Sequence, residues 1–142
     1  MTEGQGMLMV IDDNEQMRNM LARRLTRRGF TVTTAGDAME GLQTILRDPV
    51  ELVLLDHMMT GIDGLEALKL LRHRYSATAL PVIMVTARRD ADTMADALEL
   101  GANDYVTKPV DFDALLVQIE HHLAQRRTEA RPDEATLQYT AG

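Results

Sequence analysis

Five short runs with strand character, three of them continuously apolar, are each followed by a segment with helical spacing, and this alternation constrains the fold more than any other feature of the sequence. The clearest runs are continuously apolar and do not alternate with polar positions, which indicates strands buried on both faces of a parallel sheet. Helical crossovers between such strands produce a doubly wound α/β domain. The predicted strands cover residues 7–11, 30–35, 52–55, 81–85 and 104–107.

Signals for helix ends place a helix after every predicted strand. Asp37 and Asp63 are each followed three residues later by glutamate, the spacing of a capping box at a helix N-terminus. Gly29 and Gly101 each follow the last residue of a helical pattern, where glycine commonly ends a helix. The sequence therefore predicts five β-α units.

The length of 142 residues fits one domain with a substantial core. We expect the folded domain to span residues 7–125. Residues 126–142 lack apolar periodicity and contain Pro132, so we expect a linker or disordered tail there. Such a chain is either a stand-alone domain or one piece of a longer protein divided within this linker.

The composition excludes several classes of function. Fifteen Lys and Arg stand against 22 Asp and Glu, a net charge of -7, which is unfavourable for tracking nucleic-acid phosphates. The absence of cysteine excludes disulfides and thiolate metal sites. No apolar run approaches the roughly 18 residues of a membrane span. We therefore expect a cytoplasmic protein that contacts neither membrane nor nucleic acid directly.

Charged and hydroxyl side chains follow four of the five predicted strands. Asp12 and Asp13 follow the first strand, Asp56 the third, Thr86 closes the fourth, and Lys108 follows the fifth. Each of them alone is more often a helix cap, a turn residue or an ordinary strand residue. Because ligands of open α/β sheets bind at the carboxyl ends of the strands, their joint occurrence predicts a site at this edge.

The residue types at this edge suit the transfer of a phosphoryl group to a carboxylate. Three clustered carboxylates repel each other unless a cation intervenes, and carboxylates with water suit Mg²⁺. Lys108 supplies a compact positive charge for a carboxylate or a phosphoryl oxygen, and Thr86 supplies a hydroxyl donor. A carboxylate nucleophile with these neighbours could form an aspartyl phosphate.

Four motifs resemble those of two-component response-regulator receiver domains. They are VIDDN at residues 10–14, LLDHMMTGIDG at 54–64, VTA at 85–87 and YVTKP at 105–109. Their order and spacing are specific, and the resemblance covers nearly all of residues 7–125. It implies a flavodoxin-like (βα)5 fold with strand order 2-1-3-4-5.

The resemblance also assigns a role to each of seven residues. The roles are phosphoacceptor for Asp56, Mg²⁺ ligation for Asp12, Asp13, Asp56 and the Met58 backbone carbonyl, phosphoryl contact for Lys108, switch hydroxyl for Thr86 and coupled aromatic for Tyr105. It further implies a cis peptide between Lys108 and Pro109. Thr60 departs from the pattern, because receivers usually carry proline there, and we expect the loop after the third strand to be less rigid.

The expected function is a phosphorylation-dependent signalling switch. The resemblance implies a sensor histidine kinase or histidine phosphotransfer protein as phosphoryl donor and Mg²⁺ as cofactor. The surface of the fourth helix, fifth strand and fifth helix is expected to change on phosphorylation and could form a homodimer. The expected chemistry is limited to the protein's own phosphorylation and dephosphorylation, so it is not an enzyme with a separate substrate.

Two alternatives belong to other functional classes. A phosphohydrolase of the haloacid dehalogenase type would need a second aspartate at position 58, where Met58 stands. A degenerate receiver acting as a constitutive binding module would lack an acidic residue, the threonine or the lysine, and none is missing. A flavodoxin-like cofactor binder is disfavoured, since no loop rich in Gly, Ser and Thr follows the first strand.

Overall fold

The computed structural model describes residues 6–129, which form five β-α units. The strands are β1 (Met7–Ile11), β2 (Thr31–Ala35), β3 (Leu52–Leu55), β4 (Val82–Thr86) and β5 (Asp104–Thr107). The helices are α1 (Glu15–Arg27), α2 (Ala38–Arg47), α3 (Gly64–Arg74), α4 (Ala91–Glu99) and α5 (Phe112–Glu129). All strands are parallel and follow the order β2-β1-β3-β4-β5, which confirms the predicted doubly wound sheet.

Two apolar cores cover the two faces of the sheet. Leu8 and Val10 of β1 pack with residues of α1 and α5, whereas Met9 and Ile11 pack with residues of α2, α3 and α4. Successive strand side chains point to opposite faces, so a strand buried on both faces must be apolar at every position. This explains the continuous apolar runs of the sequence.

Four of the helix ends lie where the sequence predicts them. The side chains of Asp37 and Asp63 accept hydrogen bonds from the backbone N–H groups three residues later, as N-caps do. Gly29 and Gly101 follow α1 and α4 with φ of 99° and 112°, backbone conformations that glycine adopts without steric cost. Because all five strands are parallel, their carboxyl ends share one edge of the sheet.

Helix α5 is longer than expected, because it continues to Glu129 rather than ending at residue 125. Arg126 donates a hydrogen bond to the carbonyl of Ala79 and forms an ion pair with Glu51 at 3.2 Å. These polar contacts hold the last helical turn, which an apolar pattern could not reveal. The remainder of the predicted tail, residues 130–142, lies outside the described residues.

Within residues 6–129, no helix combines the length and apolar character that crossing a membrane requires.

Candidate acidic site at the carboxyl edge of the sheet

Three carboxylates meet at the carboxyl ends of β1 and β3. Asp12 and Asp56 directly follow these neighbouring strands and are buried, with 2% and 6% of their surface exposed, whereas Asp13 is exposed. The backbone N–H of Asp56 donates to the carbonyl of Ile11 at 3.0 Å, which holds the two strand ends in register. One oxygen from each carboxylate lies within 4.8 Å of the others.

Lys108 connects two of these carboxylates. Its Nζ lies 2.9 Å from Oδ2 of Asp12 and 3.3 Å from Oδ2 of Asp56. Burial alone would lower the pKa of the Lys108 ammonium, but its hydrogen bond to Asp12 and the nearby negative charges raise the pKa above its ordinary value. Lys108 therefore stays charged and is aimed at the carboxylate pair.

The cluster retains excess negative charge despite this lysine. Burial raises the pKa of Asp12, and the charge of Asp56 adds to this rise, while hydrogen bonds from Lys108 and the Asn14 backbone oppose it. Three carboxylates face one ammonium. The side-chain atoms that could bind a metal ion here are all carboxylate oxygens. Such a donor set fits Mg²⁺, a hard cation that binds one or two carboxylates and retains water.

The loop after β3 approaches helix α3 very closely. The N–H of Gly64 donates to the carbonyl of His57 at 2.8 Å, and a Cβ at position 64 would lie 2.2 Å from the Asp56 carbonyl oxygen. Only glycine therefore fits there. Met58 donates its N–H to Oδ1 of Asp56 at 3.3 Å, and its side chain is exposed. Thr60, the departure noted in the sequence, lies exposed in this loop.

Thr86 lies at the end of β4 and is fully buried. Its carbonyl accepts the N–H of Lys108 at 2.9 Å, and its hydroxyl accepts the N–H of Arg88 at 3.4 Å. Tyr105 of β5 donates its hydroxyl to the carbonyl of Arg88 at 2.9 Å, and burial raises the pKa of this phenol. The backbone of Arg88 thus links the threonine to the tyrosine.

The side chain of Arg88 continues this network into α4. Its guanidinium contacts Oδ1 of Asp90 at 3.0 Å and the hydroxyl of Thr93 at 3.0 Å. Asp90 caps α4, and hydrogen bonds from the Thr93 hydroxyl and from Arg88 hold the pKa of its carboxyl well below the usual range. Arg88 was missed in the sequence, because its residue type is common in loops and only its position two residues after Thr86 marks it.

The structure brings together four of the predicted site residues, Asp12, Asp13, Asp56 and Lys108. Thr86 and Tyr105 form a second group, joined through Arg88. The peptide between Lys108 and Pro109 is cis, as the resemblance implied. Beside the site, Nδ1 of His57 is buried and has no hydrogen-bond partner among the described residues.

Comparison with known proteins shows a similarity that extends over most of the chain. The response regulator receiver domain family matches residues 8–120. The uncharacterized transcriptional regulatory protein YkoG of Bacillus subtilis is 37% identical over 134 residues, which are 94% of this chain and 58% of that protein. The transcriptional regulatory protein HprR of Escherichia coli is 35% identical over 118 residues, 83% of this chain and 52% of that protein. The chain spans about half the length of these relatives.

Solved structures agree with the sequence matches. The receiver domain of the Francisella response regulator 1452 is 27% identical, with a TM-score of 0.78, and covers 84% of this chain and 97% of that one. The BeF3-activated receiver domain of Klebsiella pneumoniae RstA is 26% identical, with a TM-score of 0.77 and coverage of 82% and 97%. The chain therefore belongs to the response regulator receiver domain family.

Proposed function

We propose that this receiver domain is a phosphorylation-dependent switch that takes a phosphoryl group onto Asp56 from a phosphohistidine. The donor would be a sensor histidine kinase or a histidine phosphotransfer protein, acting in the cytoplasm. The observation that carries the proposal is the position of Lys108, whose ammonium contacts both Asp12 and Asp56 at the edge where the three carboxylates meet.

The transfer needs little from the protein beyond position and charge. An oxygen of Asp56 attacks phosphorus, the bond between phosphorus and the donor imidazole nitrogen breaks, and the imidazole leaves with the bonding electron pair. Lys108, already 3.3 Å from Asp56, can bind a phosphoryl oxygen and compensate its charge. Asp12, Asp13, Asp56 and the carbonyl of Met58 would hold Mg²⁺, which neutralises charge on the phosphoryl oxygens when bound.

The response to phosphorylation would travel through Thr86. A new phosphoryl group on Asp56 offers acceptor oxygens, and the Thr86 hydroxyl can donate to one of them. Its bond with the Arg88 N–H is long at 3.4 Å, so little holds this hydroxyl in place. If Thr86 moves towards the phosphate, Tyr105 can turn inward, and the α4-β5-α5 surface changes shape for a partner or for homodimerisation.

The proposed output is an interaction between proteins. This domain carries an excess of acidic residues and would not bind nucleic acid itself. Because the chain spans about half of relatives that are named transcriptional regulatory proteins, an output domain or a separate partner would act on the signal.

Phosphorylation by acetyl phosphate tests this function directly. Incubation with acetyl phosphate and Mg²⁺ should add one phosphoryl group per chain, and mass spectrometry should place it on Asp56. Asp56→Asn should abolish uptake, because the amide keeps the shape but is no nucleophile. Asp104→Asn, which changes an aspartate away from the cluster, serves as the control and should be phosphorylated normally.

Three outcomes would contradict the proposal. Labelling of folded Asp56→Asn at another residue would show that the nucleophile is wrong. Repeated hydrolysis of small phosphoesters would favour a phosphohydrolase. Absence of any reaction with acetyl phosphate and with a phosphohistidine donor would favour a constitutive binding module.

A further inference from the structure

Helices α2 and α3 form an apolar groove on the surface. Met39, Leu46 and Leu70 line it, with 51%, 57% and 44% of their surface exposed, and the partly buried Leu42 and Tyr75 form its floor. The cavity has a volume of about 340 Å³. Half of the large apolar side chains that are exposed in the described part of the chain lie in this groove, while the other three are scattered elsewhere. Such clustering is typical of interaction surfaces.

The two ends of the groove carry opposite charge. Both helices run antiparallel to the strands they follow, so their N-termini lie at one end of the groove and their C-termini at the other. The N-terminal end holds the carboxylates of Asp37, Glu40, Asp63 and Glu66. The C-terminal end holds Arg47, His73 and Arg74, with Asp48 beside Arg47. The helix macrodipoles, worth about half a charge at each helix end, have the opposite sense, so the difference in charge between the two ends of the groove comes from the side chains alone.

This charge pattern is self-complementary under a two-fold axis. If two grooves face each other across such an axis, the acidic end of each copy lies over the basic end of its partner. The three exposed apolar side chains of each copy then meet at the centre. Neither Glu66 nor Arg74 takes part in an ion pair within residues 6–129, so both charged groups are available for contacts between chains.

We infer that the α2–α3 groove is a homodimer interface whose occupant is a second copy of this chain. The apolar centre supplies affinity, and the crossed charges set the antiparallel orientation. The groove shares no residue with the segment 86–110 in which the phosphorylation response is proposed. The dimer therefore forms whether or not Asp56 is phosphorylated, and it leaves the α4-β5-α5 surface free.

Sedimentation equilibrium of the 142-residue chain tests this interface. The protein should show a concentration-dependent dimer that weakens as the ionic strength rises, because salt screens exposed charge pairs. Arg74→Glu and Glu66→Arg should each weaken dimerisation by about tenfold or more, through like charges facing across the axis. The double variant exchanges the two charges at unchanged net charge and should restore much of the affinity.

A matched pair of leucine variants locates the interface. Leu70→Gln should abolish the dimer, whereas Leu98→Gln on α4, with a similar exposure of 48%, should leave it unchanged. Both positions are exposed, and circular dichroism would verify that each variant is folded. Asp56→Asn should dimerise like the unchanged protein, which separates this test from that of the proposed function.

Three results would overturn the inference. The first is a monomer at every concentration; if deletion of residues 130–142 then produced a dimer, the groove would be occupied by the chain's own terminus. The second is a dimer that is lost in Leu98→Gln and kept in Leu70→Gln, which would place the interface on α4. The third is equal affinity in the charge-reversal variants, which would remove the argument for the antiparallel orientation.

Discussion

At the scale of single residues, the sequence predicts the charged centre of the site but not its surroundings. Asp12, Asp56 and Lys108 were predictable, because parallel strands bring the residues after them to one edge. The role of Arg88 was not, since its contacts depend on the conformation of a loop and on the side chains of Asp90 and Thr93. No spacing rule describes such contacts.

The raised pKa of Asp12 predicts how the metal-free protein responds to pH. A carboxyl whose folded pKa lies above its unfolded value contributes stability below the unfolded pKa, and this contribution is lost as the pH rises through the folded pKa. In Asp12→Asn this pH-dependent loss is absent, while the amide oxygen can still accept from Lys108. The melting temperature of the variant relative to the unchanged protein should therefore increase from pH 4 to pH 7 in the presence of a chelator.

The second measurement of the role of Asp12 is the gain in stability that saturating Mg²⁺ produces at pH 7. Metal that binds only the folded state stabilises it by about 2.7 kcal/mol at a free concentration of 100 times Kd. The unchanged protein should gain this stability, and Asp12→Asn should gain much less because a ligand is lost. A constant difference in melting temperature at both pH values, or an equal response of both proteins to Mg²⁺, would contradict the assigned role of Asp12.

At the scale of helices and strands, the prediction succeeds where a local signal exists. Capping residues and continuous apolar runs identify the elements, but they do not show how the opposite edge of the sheet is held. There, the half-buried guanidinium of Arg72 donates to the carbonyls of Leu80 and Gly101 and to the side chain of Asn103. Burial lowers the pKa of this arginine, which is held by neutral oxygens. These partners lie up to 31 residues apart, so no local pattern reveals them.

The coupling between β4, β5 and α4 is open to test by NMR spectroscopy with beryllofluoride, a mimic of the phosphoryl group. In the unchanged protein, chemical shift changes should spread through residues 86–110, because Thr86 releases Arg88 and Tyr105 follows. Thr86→Ala should bind beryllofluoride at Asp56 but confine the changes to the surroundings of that residue. Tyr105→Phe lacks the hydroxyl that donates to the carbonyl of Arg88. In this variant, residues 86–90 should still show the chemical shift changes seen in the unchanged protein.

Two results would contradict this coupling. Equal spreading in the unchanged protein and in Thr86→Ala would show that the threonine does not transmit the signal. Loss of beryllofluoride binding in Thr86→Ala would show that the hydroxyl serves the chemistry of the site rather than the response.

At the scale of the whole molecule, the two ends of the sheet differ in their contacts. We call the end at the carboxyl termini of the strands the carboxyl edge and the end at their amino termini the amino edge. The carboxyl edge carries three clustered carboxylates whose mutual repulsion costs stability. The amino edge is held by satisfied polar contacts between distant segments. Glu51 before β3 accepts the N–H of Met7 at 3.0 Å and pairs with Arg126 of α5, which also donates to the carbonyl of Ala79. We interpret the amino edge as the fixed frame against which the carboxyl edge can move.

This interpretation predicts that the last turn of α5 stabilises the fold without affecting the site. Arg126→Ala removes a partly buried ion pair and a hydrogen bond to a carbonyl, so it should lower the free energy of unfolding by about 1–2 kcal/mol. Urea denaturation would measure this loss, with Arg23→Ala as control because this arginine is exposed on α1 and forms no ion pair within residues 6–129. Phosphorylation of Asp56 by acetyl phosphate should proceed at an unchanged rate in both variants. If Arg126→Ala were as stable as the unchanged protein, the helical turn after residue 125 would not contribute to the stability of the domain. If Arg126→Ala were phosphorylated more slowly, the two edges of the sheet would be coupled.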